Sequence, residues 1–146
     1  MGVATVTMDT TSEELAILDE GNTRAARFTS IDYLGGESTK PKDIVTISGR
    51  LPERWHVVIY FFMRDFQSKA PLIEKLTDSG RYVLIDHMGR VDQDNPDDPQ
   101  LPHFLDMLAK NERVYVKGLS PERNTKVGYP YDDYVGIARQ LGSGLN

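Results

Sequence analysis

The chain has 146 residues, of which 39% are hydrophobic and 27% charged, and its net charge at pH 7 is −5. This length predicts one domain, and the composition is typical of a soluble globular protein. The absence of cysteine excludes disulfides, thiolate metal sites and cysteine nucleophiles. The negative net charge argues against nucleic acid as a partner, because sequence-independent binding to the phosphate backbone needs a basic surface.

No signal peptide or membrane-spanning apolar run is recognisable in the sequence. The expected partner is therefore not a membrane, and the cytoplasm is the default compartment.

The N-terminal half is predicted to combine one short helix with antiparallel strands. A helix begins at Thr11, because Thr11 and Glu14 fit a capping box. Residues 24–34 indicate an edge or second-from-edge strand, since neither of their faces is cleanly apolar. Alternation over residues 43–49 predicts a strand that forms an antiparallel hairpin with residues 55–62.

The middle of the chain is predicted to be a strand, a helix and a second strand. The run at 57–62 is apolar on both faces and rich in β-branched and aromatic residues, which favours a central strand covered on each side. Residues 66–80 have one apolar helical face, with Pro71 suited to the first turn. Residues 81–86 form the next strand, and a right-handed crossover makes the two strands parallel.

The C-terminal part begins with an acidic loop at 88–100. Residues 101–110 are predicted to be a helix, because their apolar residues fall at i, i+3, i+4 and i+7. A short strand at 112–117 and a long surface loop at 118–130 follow. Residues 131–141 form the last predicted helix.

These elements predict a single α/β domain over residues 1–146, on the border of α+β. Its mixed sheet has four to six strands, antiparallel in the N-terminal half and parallel in the C-terminal half, with helices packed on it. The predicted core residues are Val57, Ile59, Phe61, Leu72, Leu76, Val83, Ile85, Leu105, Leu108, Val114, Val116, Ile137 and Leu141.

One candidate site follows the strand at 81–86. Ligands bind beyond the carboxyl ends of parallel strands, and carboxylate and imidazole groups there suit a divalent metal ion. The candidate metal ligands are Asp86, His87, Asp92, Asp94 and His103. Apart from this possible metal ion, no cofactor is predicted. The alternative is that the acidic loop is only turn chemistry, with side chains bonding to their own backbone.

Two other groups of residues stand out. Arg50, Arg54, Arg64 and Lys69 could bind an anionic compound or could be solvated caps of the central strand. The tyrosines Tyr129, Tyr131 and Tyr134 are candidates for a protein interface, where buried rings with wet hydroxyls are common. The alternative places Tyr134 in the core.

The sequence contains neither a Gly-x-Ser-x-Gly nucleophile elbow nor a glycine-rich phosphate loop. Our first hypothesis is therefore a small non-enzymatic protein that works by protein–protein interaction, as an adaptor, an inhibitor or a self-assembling homo-oligomer. The alternative is a small divalent-metal-dependent enzyme or anion-binding protein that uses Asp86, His87 and the loop at 88–100.

Overall fold

The structure is a computed structural model that describes residues 1–30, 39–92, 98–118 and 120–143. Strands and helices alternate along these ranges. The strands are β1 (Gly2–Ala4), β2 (Thr23–Thr29), β3 (His56–Tyr60), β4 (Val83–Ile85) and β5 (Val114–Val116). The helices are α1 (Ser12–Glu20), α2 (Pro41–Arg50), α3 (Phe66–Asp78), α4 (Gln100–Lys110) and α5 (Val135–Ser143).

The sheet is parallel throughout, and its strands stand in the order in which they occur along the chain, β1-β2-β3-β4-β5. The predicted antiparallel N-terminal half is therefore wrong. A parallel neighbour requires a crossover that returns the chain to the starting edge, and α2 makes that return between β2 and β3.

Residues 43–49 belong to α2 rather than to a strand. Pro41 occupies the first helical turn, where its missing N–H costs nothing, and Asp43 lies in the same turn. Ile44, Ile47 and Ser48 are buried at helical spacing on one face. This short segment fits both the two-residue and the 3.6-residue period, and the periodicity alone could not decide between them.

Several other predicted elements are confirmed. The capping box joins Thr11 and Glu14 at the start of α1, and β3 is the central strand. Helix α4 begins one residue before the predicted range. Pro71 was misplaced, because α3 starts at Phe66 and the proline lies inside it.

All the described helices contribute to one core on one face of the sheet. This core takes alternate strand residues such as Phe28, Ile59 and Ile85. The predicted core residues are buried, except for Leu105 and Val116, which are partly buried. A sequentially ordered parallel sheet with its helices on one side is the arrangement found in the wall of a β/α barrel.

The other sheet face carries Tyr60 near its carboxyl end and the half-exposed Tyr82 and Tyr115, whose rings lie 5.9 Å apart. No helix among the described residues is long and apolar enough to cross a membrane.

A carboxylate cluster ties the amino ends of two strands to α1. Asp19 accepts hydrogen bonds from the indole Nε1 of Trp55 and the Nε of Arg54, both at 2.8 Å. Arg24 lies 3.2 Å from the same carboxylate. Because Trp55 is buried, Asp19 satisfies an indole N–H that would otherwise have no partner.

Candidate active site

Polar side chains gather at the carboxyl ends of four neighbouring strands. Arg27 lies two residues before the end of β2, and Tyr60 is the last residue of β3. Asp86 directly follows β4, and Lys117 directly follows β5. In β/α barrels this end of the sheet carries the active site.

Asp86 is the centre of the group, with a side chain only 1% exposed. Its Oδ2 accepts a hydrogen bond from Arg27 Nε at 2.8 Å. Its Oδ1 lies 3.3 Å from Lys117 Nζ and accepts a hydrogen bond from the backbone N–H of His87 at 3.2 Å. Both carboxylate oxygens are therefore occupied by donors from the chain itself.

These donors also keep Asp86 ionised. Burial alone would raise the pKa of Asp86, but the hydrogen bond from Arg27, the positive charge that His87 carries when it is protonated and the interaction with Lys117 outweigh it and hold the pKa below its ordinary value. A buried carboxylate that stays charged is a fixed negative anchor for the two cations around it.

His87 is largely buried beside this carboxylate. Its Nε2 lies 3.5 Å from Asp86 Oδ2, and its ring meets the ring of Tyr60 edge-on with centroids 5.2 Å apart. Burial lowers the pKa of His87, and the positive charges of Arg123, Arg27 and Lys117 add to this effect against the opposing Asp86. The imidazole is therefore neutral at pH 7.

The arrangement indicates which nitrogen of His87 carries the proton. Because Nε2 faces an ionised carboxylate, we infer that Nε2 is protonated, which leaves a lone pair on Nδ1. That Nδ1 atom is buried and has no hydrogen-bond partner among the described residues. Buried polar atoms without a partner are rare in native proteins, and one at a strand end marks a candidate for a catalytic role.

The backbone after Asp86 is a left-handed turn. His87, Met88, Gly89 and Arg90 have φ values of 48°, 53°, 65° and 47°. Residues with side chains rarely adopt this region, and such strain persists where the surroundings impose it. The turn reverses the chain immediately after β4, so that His87 stays beside Asp86.

Arg27 has donors left over for a bound anion. Among the described residues it forms a hydrogen bond only through Nε, so its two terminal amino groups remain available. Its guanidinium carbon lies 5.2 Å from the centroid of the Tyr60 ring, which holds it by a cation–π contact. A guanidinium fixed in this way matches the geometry of a carboxylate.

Of the four candidate metal ligands that the structure describes, only two lie together. Asp86 and His87 lie together, whereas Asp92 is exposed after the left-handed turn and His103 is exposed on α4. Asp94 lies outside the described residues. Within the described ranges no three histidine or acidic side chains form a group that could hold a metal ion.

The three tyrosines predicted to form an interface do not all lie on the surface. Tyr134 is 2% exposed and belongs to the core, whereas Tyr129 is 87% exposed and packs edge-on against Tyr131. An interface at Tyr129 and Tyr131 stays a prediction.

Sequence reasoning missed Arg27, Tyr60 and Lys117. Their common signal is position, since each lies at or near the carboxyl end of a parallel strand. That signal could be used only after β2, β3 and β5 were known to run in the same direction.

Comparison with known proteins shows what this chain is similar to. No protein-family model matches the chain. A 2-pyrone-4,6-dicarboxylate hydrolase from Comamonas testosteroni is 31% identical over 150 aligned positions, which cover 96% of this chain and 48% of the relative. The chain thus spans about half the length of the curated relative it matches.

Two crystal structures share the fold. One is an inferred 2-pyrone-4,6-dicarboxylic acid hydrolase from Pseudomonas putida, with a TM-score of 0.75 and 24% identity over 99% of this chain and 50% of that chain. The other, from Acinetobacter baumannii, is an inferred hydrolase of the same acid with citric acid bound. Its TM-score is 0.67, with 22% identity over 98% of this chain and 51% of that chain.

These findings correct the first functional hypothesis. The prediction of a non-enzymatic, protein-binding homo-oligomer is wrong, because the relative that matches nearly the whole chain is named as a hydrolase. The alternative hypothesis, an enzyme or anion-binding protein using Asp86 and His87, fits better.

Proposed function

We propose that this chain binds a cyclic ester bearing carboxylates, of the 2-pyrone-4,6-dicarboxylate class, and takes part in its hydrolysis. The observation that carries the proposal is the fixed Arg27 guanidinium beside the neutral His87 at the carboxyl ends of β2 and β4. The relative named for this reaction supports the choice of substrate class.

Arg27 is the residue that we propose grips a carboxylate of the substrate. Its Nε is anchored on the buried Asp86, so its remaining amino groups point from a held side chain rather than a mobile one. Little side-chain entropy is then lost when the anion binds, which favours affinity. Lys117 adds positive charge at the same strand ends.

His87 is the residue that we propose faces the reacting group. A pyrone is an unsaturated lactone, and hydrolysis adds water to its carbonyl carbon. The C–O bond of the ring then breaks, and the ring oxygen leaves and gains a proton. We propose that the neutral imidazole of His87, which lies beside Asp86 at the strand ends, is the base that orients the attacking water.

The structure from Acinetobacter baumannii has citric acid bound, and citric acid, like the proposed substrate, is a polycarboxylate. In this chain the positive groups of Arg27 and Lys117 favour a polycarboxylate, because burial beside Asp86 strengthens charge interactions.

The test is calorimetric titration of the chain with 2-pyrone-4,6-dicarboxylate, followed by measurement of ring opening from the loss of pyrone absorbance. Arg27→Ala should weaken binding by about 10- to 100-fold, the worth of one charge-assisted hydrogen-bond pair. His87→Gln should bind the pyrone and slow ring opening by at least about 100-fold.

Arg113→Ala is the matched control. Arg113 is an exposed arginine whose guanidinium lies 5.1 Å from a tyrosine ring, as that of Arg27 does, but it lies before the amino end of β5. Its loss should leave both measurements unchanged. Equal weakening in Arg27→Ala and Arg113→Ala, or no binding by the unaltered chain, would overturn the proposal.

A further inference from the structure

The ring of Tyr60 contacts both residues on which the proposed function depends. The guanidinium carbon of Arg27 lies over this ring, 5.2 Å from its centroid. The imidazole of His87 meets the same ring at an interplanar angle of 77°, with centroids 5.2 Å apart. We propose that Tyr60 is a positioning residue, whose ring holds Arg27 and His87 at a fixed separation.

The order and register of the strands explain how one residue reaches both. Tyr60 is the last residue of β3, which lies between β2, the strand of Arg27, and β4, the strand that leads to His87. Arg27 is level with Val58, and residues two apart in a strand share a face. Arg27 and Tyr60 therefore lie on the same face of the sheet.

Tyr60 has little freedom to move. The residue is only 1% exposed, and its carbonyl oxygen accepts a hydrogen bond from the backbone N–H of Ser30 at 2.8 Å. A tyrosine side chain has only two torsions, so it is a rigid support once it is buried.

Arg27 needs such a support. Its side chain is 36% exposed, and its hydrogen bond to Asp86 uses Nε alone. One hydrogen bond leaves a guanidinium free to tilt about that contact, whereas stacking on a ring fixes its plane. The ring of Tyr60 thus supplies the second point of attachment.

The two contacts depend on the ring of Tyr60 rather than on its hydroxyl group. Arg27 is a cation, and cations are attracted to the negative face of an aromatic ring. His87 makes an edge-to-face contact, which aromatic rings prefer to a face-to-face sandwich. Phenylalanine at this position would supply both contacts, and leucine would supply neither.

This inference rests on the proposed function for its effect on binding and ring opening, but the position of Arg27 can be measured without substrate. The Nε proton of Arg27 is donated to Asp86 and exchanges with water when that hydrogen bond opens. Opening should become more frequent when the ring is lost.

The experiment compares Tyr60→Leu with Tyr60→Phe. In Tyr60→Leu the exchange rate of the Arg27 Nε proton, measured by NMR, and the Kd for 2-pyrone-4,6-dicarboxylate should each rise by about 2- to 30-fold, which corresponds to one cation–π contact. Ring opening at saturating pyrone should slow by at least about 10-fold, because His87 is displaced. Tyr60→Phe should keep all three values within about twofold of the unaltered chain.

Phe61→Leu is the matched control. Phe61 is the next residue, is fully buried and packs near Phe66 in the core, so this substitution removes an aromatic ring on the other face of the sheet. It should lower the free energy of unfolding, as Tyr60→Leu does, and leave the exchange rate and the Kd unchanged. Tyr60→Met replaces Tyr60→Leu if the leucine variant does not fold.

The outcomes separate this inference from the proposed function. Equal losses in Tyr60→Phe and Tyr60→Leu would assign the effect to the hydroxyl group and overturn the inference. An unchanged exchange rate in Tyr60→Leu, or an equal rise in Phe61→Leu, would also overturn it. Failure of the unaltered chain to bind the pyrone overturns the proposed function, and the exchange rate of Arg27 then decides the inference alone.

Discussion

Arg27 donates from Nε to Asp86 Oδ2 across 2.8 Å and so joins β2 to the end of β4, with the central strand β3 lying between them. The guanidinium passes over the ring of Tyr60, the last residue of that central strand. A contact that spans three strands fixes the relative positions of their carboxyl ends. The same contact therefore stabilises the sheet and orients the proposed anion-binding group.

Replacement of Asp86 by Asn should destabilise the protein at pH 7 by about 1–3 kcal/mol, because a buried anchor for two cations is lost. The pKa of Asp86 is lowered in the folded state, so its contribution is present above the ordinary carboxyl pKa of about 3.9 and is lost as the pH falls through the lower folded value. Urea unfolding from pH 8 to pH 3 measures this difference.

The difference in free energy of unfolding between Asp86→Asn and the unaltered chain should be constant down to about pH 5. It should disappear below about pH 4. Asp78→Asn replaces an exposed aspartate in the last turn of α3, and its free energy of unfolding should equal that of the unaltered chain. Equal stability of Asp86→Asn and the unaltered chain at pH 7 would contradict this account of the site.

His87 should make the protein less stable in mild acid. Its pKa is lowered by burial, so the unfolded chain binds a proton more readily than the folded one below the ordinary histidine pKa of about 6.5. Stability is then lost as the pH falls from about 6.5 toward the folded value. In His87→Gln the dependence of the free energy of unfolding on pH between 7 and 5 should become shallower.

His56 is the control for that experiment, because burial lowers its pKa too while it stands at the opposite end of β3. His56→Gln should also reduce the slope, and the double variant should lose both contributions additively. An unchanged slope in His87→Gln would mean that the pKa of this imidazole is the same in the folded and the unfolded protein, which contradicts the lowering by burial.

Gly89 should not tolerate a side chain. Its φ of 65° is costly for other residues, and an added Cβ would lie 2.7 Å from Met63 Cε, so the end of that buried side chain would have to shift. Gly89→Ala should cost about 1–3 kcal/mol in chemical denaturation. Gly49→Ala is the matched control, because nothing lies within 4 Å of its Cβ position in α2, and it should be neutral or slightly stabilising.

Added divalent metal ions should not stabilise this protein through Asp86. Arg27 and Lys117 occupy both oxygens of that carboxylate, and their charges repel a cation. A bound ion at about 100 times its Kd would add about 2.7 kcal/mol, which a thermal-shift titration with Mn²⁺ resolves easily. A shift that disappears in Asp86→Asn would instead confirm the metal site predicted from the sequence.

The sequence predicts the parts of this fold that rest on strong local patterns. The apolar run of β3 and the periodicity of α4 each have only one good interpretation. Residues 43–49 have two good interpretations, a helix and a strand. The sequence cannot choose between them, because the choice depends on whether β3 pairs with β2 in a parallel or an antiparallel way. One wrong element thus reversed the direction of half of the predicted sheet.

The sequence predicts only part of the candidate site, and the reason is again the direction of the strands. Asp86 and His87 could be found because a parallel strand ends immediately before them. Arg27 and Lys117 come 59 positions before and 31 positions after Asp86 in the printed sequence, and only the parallel register brings them to it. Half of the acidic residues in the loop at 88–100 lie outside the described residues, so a metal site in that loop stays a prediction.

The two arginine–carboxylate clusters lie at opposite ends of the same strands, Asp19 with Arg54 at the amino ends and Asp86 with Arg27 at the carboxyl ends. Substitutions that alter the binding proposed at Arg27 therefore leave the hydrogen bond between Asp19 and Trp55 untouched. A library of variants with substitutions only at the carboxyl ends of the strands could be screened for new carboxylate substrates. Its members would all keep the contact between Asp19 and Trp55. The separation makes this short chain a practical starting point for directed evolution.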